Sequence, residues 1–255
     1  MTHGTLYGIG VGPGDPEWIT VKAARILAAC RQVCVPKSRL AADSVALEIA
    51  KDYLRGDAVI RELSFPMTAD EDLLRASWRQ AAHEVYEVLA AGEDCAYLTL
   101  GDPLLYSTYI YLLRELRGIS AEVRIVTVPG ITAFSAAAAV VNFPVGEGKQ
   151  LVTIVPASDD LQQFGAALDR GGSVVLMKIG RRLQRVLDEL ESRGLLDCAV
   201  FVAHAGMPQQ EAETDLRRLR GATEEAGYLS ILIVQAGAPH STGEASGTRP
   251  PEAES

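Results

Sequence analysis

The sequence predicts an α/β protein made of two α/β domains, and three observations support this fold class. Short apolar runs rich in Val, Ile and Leu alternate with longer segments of helical periodicity along most of the 255 residues. This alternation is typical of parallel or mixed sheets flanked by helices. Hydrophobic residues make up 48% of the chain, which is enough for one large or two ordinary α/β domains. Glycine-rich turns follow two of the apolar runs, at the position where open α/β sheets bind ligands.

The first half alternates predicted strands with predicted helices. The predicted strands are Thr5 to Gly12, Gln32 to Pro36, Ala58 to Leu63 and Cys95 to Leu100, and the predicted helices are Thr20 to Cys30, Ser44 to Leu54, Glu71 to Ala91 and Ser107 to Leu116. Thr20 and Asp43 have side chains suited to capping a helix N-terminus. The stretch Arg117-Gly118-Ile119-Ser120 is predicted to end the fourth helix, and a domain boundary is expected near residue 120.

The second half continues the same alternation. The predicted strands are Val123 to Val128, Leu151 to Val155, Ser173 to Lys178, Ala199 to His204 and Leu229 to Gln235, and the predicted helices are Thr132 to Val141, Asp160 to Leu168 and Arg182 to Ser192. The tail from Ala238 to Ser255 is rich in Pro, Ser, Gly and Glu and has no apolar periodicity, so it is expected to be disordered. The expected domains are therefore residues 1–120 and 121–237, followed by a tail at 238–255.

Charge argues against a nucleic-acid partner. The net charge is -9, whereas phosphate binding needs clustered Lys and Arg. The basic run Arg217-Arg218-Leu219-Arg220 is short and lies close to acidic residues, which is typical of a solvated surface.

Membrane association is also not expected. No apolar stretch reaches the roughly 18 residues that span a bilayer, and the N-terminus lacks the features of a signal peptide. We therefore expect a cytoplasmic protein that does not bind membranes. The four cysteines form no C-x-x-C motif and lie in apolar segments, which favours buried reduced thiols over a metal site or a disulfide.

The glycine-rich turns are GIGVGPGDPE at Gly8 to Glu17 and LTLGDPLLYST at Leu98 to Thr108. Glycine has no side chain, so its backbone can approach a ligand or another strand closely. Neither common nucleotide-binding motif fits. The third glycine of G-x-G-x-x-G would fall on Pro13 or Asp15, and no G-x-x-x-x-G-K-[ST] sequence is present. These turns therefore predict a ligand-binding edge without the usual phosphate-binding loop.

Three motifs resemble those of the tetrapyrrole (corrin/porphyrin) methylase family, which uses S-adenosylmethionine. They are VGPGDPE at Val11 to Glu17, GDP at Gly101 to Pro103 and VPGITA at Val128 to Ala133. The resemblance extends to about Gly237. It implies two α/β domains with the active site in a trough between them, a homodimer, and no protein-bound metal.

Within the family, three stretches are similar to the enzymes that methylate carbon 20 of precorrin-2 in cobalamin biosynthesis. They are SFPMTAD at Ser64 to Asp70, TLGDPLLYSTYIYLL at Thr99 to Leu113, and VLMKIGR at Val175 to Arg181. The first two favour the branch that acts on the cobalt-loaded substrate. The alternatives keep the fold and the methyl donor but act on another corrin carbon, uroporphyrinogen III, diphthine or ribosomal RNA. A donor-binding regulatory or scaffolding protein without turnover is an alternative from a different class.

The resemblance implies which residues contact the methyl donor, S-adenosylmethionine. These are Pro13, Leu100, Gly101, Asp102, Leu105, Tyr106, Thr132, Ala133, Met177 and Gly206. Several of them also have an ordinary structural interpretation. The GDP turn is suited to starting a helix, Thr132 is suited to capping one, and a methionine on a strand commonly belongs to a core.

Few residues are candidates for acid-base chemistry. No Ser-His-Asp, Cys-His or H-E-x-x-H signature is present. Asp102 is the candidate catalytic carboxylate, and Tyr106 and Tyr228 are candidates to orient a ring or assist proton loss, although each tyrosine is equally suited to a core position. Lys178 is a candidate to bind a substrate carboxylate, or alternatively a lysine at the end of a surface strand. A polycarboxylate substrate would need Arg and Lys side chains to converge locally.

Overall fold

The computed structural model of the chain describes residues 3–37, 44–66, 68 and 70–236. These residues fall into two compact units. The first contains the described residues up to Asn142 together with Val202–Ala212, and the second contains Phe143–Phe201 and the described residues from Glu213 onwards. Both units combine a sheet with helices, so the predicted α/β fold class is confirmed.

The first unit is built on a five-stranded sheet with strand order β3-β2-β4-β1-β5. All of its strand pairs are parallel. The strands are β1 Thr5–Gly10, β2 Gln32–Lys37, β3 Val59–Ser64, β4 Cys95–Thr99 and β5 Arg124–Val128, and the helices are α1 Val21–Ala29, α2 Val45–Ala50, α3 Glu71–Ala90, α4 Tyr109–Ile119 and α5 Ala133–Val141.

Two hydrophobic clusters fill the first unit. One joins apolar residues of α3 and α4 to the sheet, including the fully buried Leu89 and Leu112. The other joins α1 and α2 to the sheet through residues such as Leu27 and Ile49. Because neighbouring residues of a strand point to opposite faces, Leu6 belongs to the first cluster and Ile9 to the second. Burial on both faces explains the nearly continuous apolar strands.

A second five-stranded sheet has the strand order β6-β7-β10-β8-β9, and most of it lies in the second unit. It is mixed, because β6 and β7 are parallel whereas β7 and β10 are antiparallel. The strands are β6 Val152–Pro156, β7 Gly172–Met177, β8 Ala199–Ala203, β9 Glu211–Glu213 and β10 Ser230–Ala236, and the helices are α6 Gln162–Asp169 and α7 Leu183–Ser192. Four residues of α7 at helical spacing are buried: Leu183, Val186, Leu187 and Leu190.

Several expectations about element ends need correction. The unit boundary follows Asn142 rather than residue 120, because β5 pairs with β1 in the first sheet. Helix α4 continues through Gly118 to Ile119, since one helical glycine costs only about 1 kcal/mol. Strand β1 ends at Gly10, two residues earlier than expected, because Gly12 has φ 79° and leaves the extended conformation. The expected Asp43 cap and the tail from 238 to 255 lie outside the described residues.

The four cysteines are free thiols, and three of them are buried. The Sγ atoms of Cys34 and Cys95 are 3.3 Å apart, well beyond the roughly 2.05 Å of a disulfide bond. Burial raises the pKa of the Cys30 thiol to about 11. A thiol with such a pKa carries little thiolate at neutral pH and is chemically inert.

Candidate functional site

The carboxyl ends of three adjacent strands bring the glycine-rich turns together. Strand β1 lies between β4 and β5, and all three run in the same direction. The turn after β1 therefore lies beside the turn after β4, which carries Gly101 and Asp102, and beside the turn after β5, which carries Gly130. We call this region the three-turn edge.

The backbones at the three-turn edge are in direct contact. A Cβ atom added to Gly130 would lie 2.2 Å from the Gly101 carbonyl oxygen, and one added to Gly10 would lie 2.5 Å from the Gly130 nitrogen. Any larger residue at either position would push the turns apart. Part of the glycine pattern is thus explained by contacts between neighbouring turns.

Gly101 differs from Gly10 and Gly130 because the space beside its α-carbon is open. A Cβ atom added there would meet only the Ile131 carbonyl oxygen, at 3.9 Å. Its backbone is nevertheless fixed. The Gly101 N–H donates to the Gly12 carbonyl at 2.8 Å, and the Gly12 N–H donates to the Gly101 carbonyl at 3.3 Å. Both residues have positive φ, 73° and 79°, which glycine adopts without strain.

The Asp102 carboxylate holds two turns together. One oxygen, Oδ1, accepts a hydrogen bond from the Leu104 N–H at 2.9 Å, within its own turn. The other, Oδ2, accepts from the Gly130 N–H at 3.1 Å, in the turn after β5. Both carboxylate oxygens therefore bind backbone donors, and the geometry assigns Asp102 the positioning of these turns.

Thr132 begins α5 at the same edge. Its Oγ1 atom accepts from the Ser135 N–H at 3.4 Å, which confirms the expected helix cap. The Thr20 cap of α1 is confirmed in the same way, with the Ala23 N–H at 3.2 Å. Ala133 follows Thr132 as the first residue of α5 and is half-buried.

The remaining donor-site candidates of the first unit lie in two neighbouring segments. Pro13 is buried in the turn after β1. The next residue, Gly14, packs against the backbone of Ala205 and Gly206, because a Cβ atom added to Gly14 would lie 2.3 Å from the Ala205 carbonyl oxygen. Leu100, Leu105 and Tyr106 belong to the turn between β4 and α4. Tyr106 is 38% exposed and has φ 51°, a conformation that is uncommon for a bulky residue, so α4 begins only at Tyr109.

Met177, Lys178 and Tyr228 belong to the second unit, where they lie near one edge of its sheet. Met177 is the last residue of β7 and pairs with Ile231 near the start of β10. Tyr228 precedes β10 and is 56% exposed. Lys178 follows β7 with φ 57°, and desolvation lowers the pKa of its ammonium group from the ordinary value. The sequence-predicted residues thus form one group in each unit, and the expected trough between domains stays a prediction.

Gly10 and Gly130 contribute to the three-turn edge but were not among the predicted site residues. Both stand in motifs that could have indicated them, GIGVG and VPGIT. Within the described ranges, no group of three or more His, Cys, Asp and Glu side chains is placed to hold a metal ion. In the same part of the chain, no helix is long and apolar enough to cross a membrane.

Comparison with protein families identifies the lineage of this chain. Residues 5–219 match the model of the Tetrapyrrole (Corrin/Porphyrin) Methylases. The chain belongs to this family. The family resemblance of the three glycine motifs is thereby confirmed, and the tetrapyrrole methylase motifs coincide with the three-turn edge.

Two curated relatives of this tetrapyrrole methylase carry the same activity in their names. A cobalt-precorrin-2 C(20)-methyltransferase of Salmonella typhimurium is 33% identical over 91% of this chain and 96% of its own length. A probable cobalt-precorrin-2 C(20)-methyltransferase of Methanocaldococcus jannaschii is 36% identical over 77% of this chain and 83% of its own length. A solved uroporphyrin-III C-methyltransferase of Thermus thermophilus, in complex with S-adenosylhomocysteine, has a TM-score of 0.58 at 21% identity and covers 91% of this chain and 97% of that structure. At that identity the structure supports the fold alone.

Proposed function

We propose that this tetrapyrrole methylase transfers a methyl group from S-adenosylmethionine to carbon 20 of cobalt-precorrin-2 in cobalamin biosynthesis. The observation that carries the proposal is the Gly101 turn. It lies at the carboxyl edge of a parallel sheet, where α/β folds bind ligands, and it is fixed by Gly12 and Asp102, while a Cβ atom added to Gly101 would meet only the Ile131 carbonyl oxygen within 4 Å. The activity of the two relatives supports the choice of acceptor.

The three-turn edge fits a methyl donor that binds against backbone. A Cβ atom at Gly101 would project into the open space, so the absence of a side chain leaves a cradle for the ligand. We assign donor contacts to Pro13, Leu100, Gly101, Asp102, Leu105, Tyr106, Thr132, Ala133 and Gly206, and to Met177 of the second unit. Asp102 acts there by holding the Gly101 and Gly130 turns in register.

The reaction depends on the alignment of the methyl donor with the acceptor carbon more than on acid-base groups. Bound S-adenosylmethionine supplies an activated methyl group, whose bond to sulfur breaks as the bond to carbon 20 forms, and the carbon 20 proton is then lost. Preorganised turns contribute by fixing the distance and direction of approach. Tyr106 and Tyr228 are the groups to which we assign ring orientation and assistance to proton loss, and we assign a substrate carboxylate to Lys178.

We further propose that the protein is a cytoplasmic homodimer without a protein-bound metal. The family resemblance supports the dimer, and the free, buried thiols fit a reducing compartment. Light scattering on purified protein at several concentrations tests the dimer.

The activity is tested by side-by-side turnover with cobalt-precorrin-2 and metal-free precorrin-2. We expect one methyl group per product, located at carbon 20 by carbon NMR of product made with labelled donor, and faster turnover of the cobalt form. Label at a peripheral pyrrole carbon would show that carbon 20 is not the acceptor, although the chain would still be a methyltransferase of this family. Transfer to RNA or protein, with none to either corrin precursor, would reject the proposed function.

A further inference from the structure

Three arginines surround Asp159 beyond the carboxyl ends of β6 and β7. Asp159 follows β6 and accepts a hydrogen bond from Arg182 Nε at 2.9 Å. Arg185 donates to the Asp159 backbone carbonyl, and the Arg181 guanidinium lies 3.9 Å from Asp159 Oδ1. Because β6 and β7 are parallel, the loops after both strands meet here. We call these four residues the arginine cluster.

Positive charge is in excess at the arginine cluster. The Arg181 and Arg182 guanidinium groups face the Asp159 carboxylate, the Arg185 guanidinium binds the Asp159 backbone carbonyl, and Lys178 lies three residues before Arg181. The neighbouring Asp160 accepts from Ser158 Oγ and the Gln162 N–H, and these hydrogen bonds lower the pKa of its carboxyl. On α7, Asp188 and Glu189 pair with other arginines, Arg220 and Arg193. This local excess stands out in a chain whose net charge is -9.

Two arginines elsewhere in the second unit are each surrounded by carboxylates. Arg217 pairs with both Asp197 and Asp215, and Arg218 lies near Glu213 and Asp215. That arrangement is typical of a solvated surface whose charges are balanced. In the arginine cluster, Asp159 already accepts a close hydrogen bond from Arg182, so the Arg181 guanidinium retains the capacity to bind an external anion.

We infer that Arg181 is a substrate-binding residue that takes a carboxylate of a polycarboxylate macrocycle. Its side chain is 68% exposed, and its fork of N–H donors matches a carboxylate in geometry. The exposed Tyr228 ring at the same edge offers apolar surface to a flat macrocycle. Arg182 binds Asp159 Oδ1 at close range and Arg185 holds the Asp159 backbone, so the Asp159 carboxylate stays with Arg182 while Arg181 lies farther away, at 3.9 Å. The identity of the macrocycle rests on the proposed function, whereas the carboxylate chemistry rests on the cluster.

Uroporphyrin, an octacarboxylate porphyrin, is the probe for this inference. Binding is followed by fluorescence titration of wild-type protein, Arg181→Gln, Arg181→Lys and Arg218→Gln. Arg218 is a matched control, since its side chain is 73% exposed and lies 3.9 Å from Glu213. We expect Arg181→Gln to weaken binding about tenfold, Arg181→Lys to retain most of it, and Arg218→Gln to change it less than about twofold.

A second readout is turnover of cobalt-precorrin-2, for which Arg181→Gln should raise KM and leave kcat within about twofold. Equal effects of Arg181→Gln and Arg218→Gln on uroporphyrin affinity would overturn the inference, as would no uroporphyrin binding by the wild type. Thermal unfolding confirms that each variant is folded. If wild-type protein binds uroporphyrin through Arg181 but methylates no corrin precursor, the proposed function fails and the carboxylate site stands.

Discussion

Asp102 and Gly130 are joined by a hydrogen bond of 3.1 Å between residues that are 28 positions apart in the chain. Asp102 lies after β4 and Gly130 after β5, and β1 separates these two strands in the sheet. The second Asp102 oxygen binds the Leu104 N–H. A single carboxylate therefore fixes the relative position of two turns to which we assign the methyl donor.

Asp102→Asn tests this positioning role. Asparagine has one carbonyl oxygen, so either the Leu104 or the Gly130 N–H loses its acceptor. We expect a loss of about 1–3 kcal/mol in the free energy of unfolding and a fall in turnover of at least about tenfold. Chemical denaturation and initial rates measure the two effects.

Asp70→Asn is the matched control for Asp102→Asn. Asp70 caps α3 through a single oxygen, Oδ1, which accepts from both the Asp72 and Leu73 N–H groups. Asparagine keeps that oxygen and should leave stability nearly unchanged. If Asp102→Asn changed stability and turnover as little as Asp70→Asn does, Asp102 would no longer be assigned to the site.

Gly101→Ala tests the open side of the Gly101 turn. The added methyl group enters the space assigned to the donor, and the positive φ of 73° costs about 1–2 kcal/mol. We expect S-adenosylhomocysteine affinity, measured by calorimetry, to fall at least about tenfold, because the methyl group excludes the ligand.

Gly194→Ala controls for the backbone strain of Gly101→Ala. Gly194 has φ 67° and nothing within 4 Å of an added Cβ atom. The Gly194→Ala variant should lose about as much stability as Gly101→Ala while keeping its affinity for S-adenosylhomocysteine. Unchanged affinity in Gly101→Ala would mean that the donor binds elsewhere.

Local signals in the sequence predicted much of this fold. Thr20 and Thr132 cap helices through their own first turns, so neighbouring residues suffice to recognise them. The glycine motifs likewise predicted the turns at the carboxyl edge. The stretch Arg117 to Ser120 ends α4 as predicted, but the helix continues past Leu116 and Gly118 to Ile119, because the buried Leu112 and Leu116 hold α4 in place despite the glycine.

Long-range contacts could not be read from the sequence. The boundary expected near residue 120 was wrong because the pairing of β5 with β1 joins segments far apart in the chain. The Asp102–Gly130 hydrogen bond depends on the strand order of the first sheet. The arrangement of arginines around Asp159 depends on the pairing of β6 with β7 in the second sheet. Composition indicated that a polycarboxylate would need converging cations, but only the fold shows which ones converge.

Gly130→Ala tests the backbone contact between the turns. Its Cβ atom would lie 2.2 Å from the Gly101 carbonyl oxygen, which is backbone and cannot move without displacing the turn. We expect about 1–3 kcal/mol of destabilisation and weaker donor binding. Gly118→Ala is the opposite case, because this glycine lies within α4 with nothing near its added Cβ atom, and it should gain about 0.5–1 kcal/mol. Equal stability changes in the two variants would contradict the close packing of the turns.

Lys178→Met tests the assigned carboxylate contact. We expect KM for the corrin substrate to rise about tenfold with little change in S-adenosylhomocysteine affinity, whereas Lys149→Met, at an exposed position of the same unit, should change neither.

Desolvation lowers the pKa of Lys178, so its charge is lost as pH rises through a value below the ordinary lysine range. Wild-type KM should therefore rise at alkaline pH, and a flat KM profile that matches Lys178→Met would remove Lys178 from the site.

A crystal structure of the protein grown with S-adenosylhomocysteine would locate the methyl-donor site itself. We expect ligand density at the three-turn edge, in contact with Gly101 and Thr132, with the Asp102–Gly130 hydrogen bond intact. Density for the ligand elsewhere, with the space beside Gly101 still open in a protein that calorimetry shows to be saturated, would contradict this expectation.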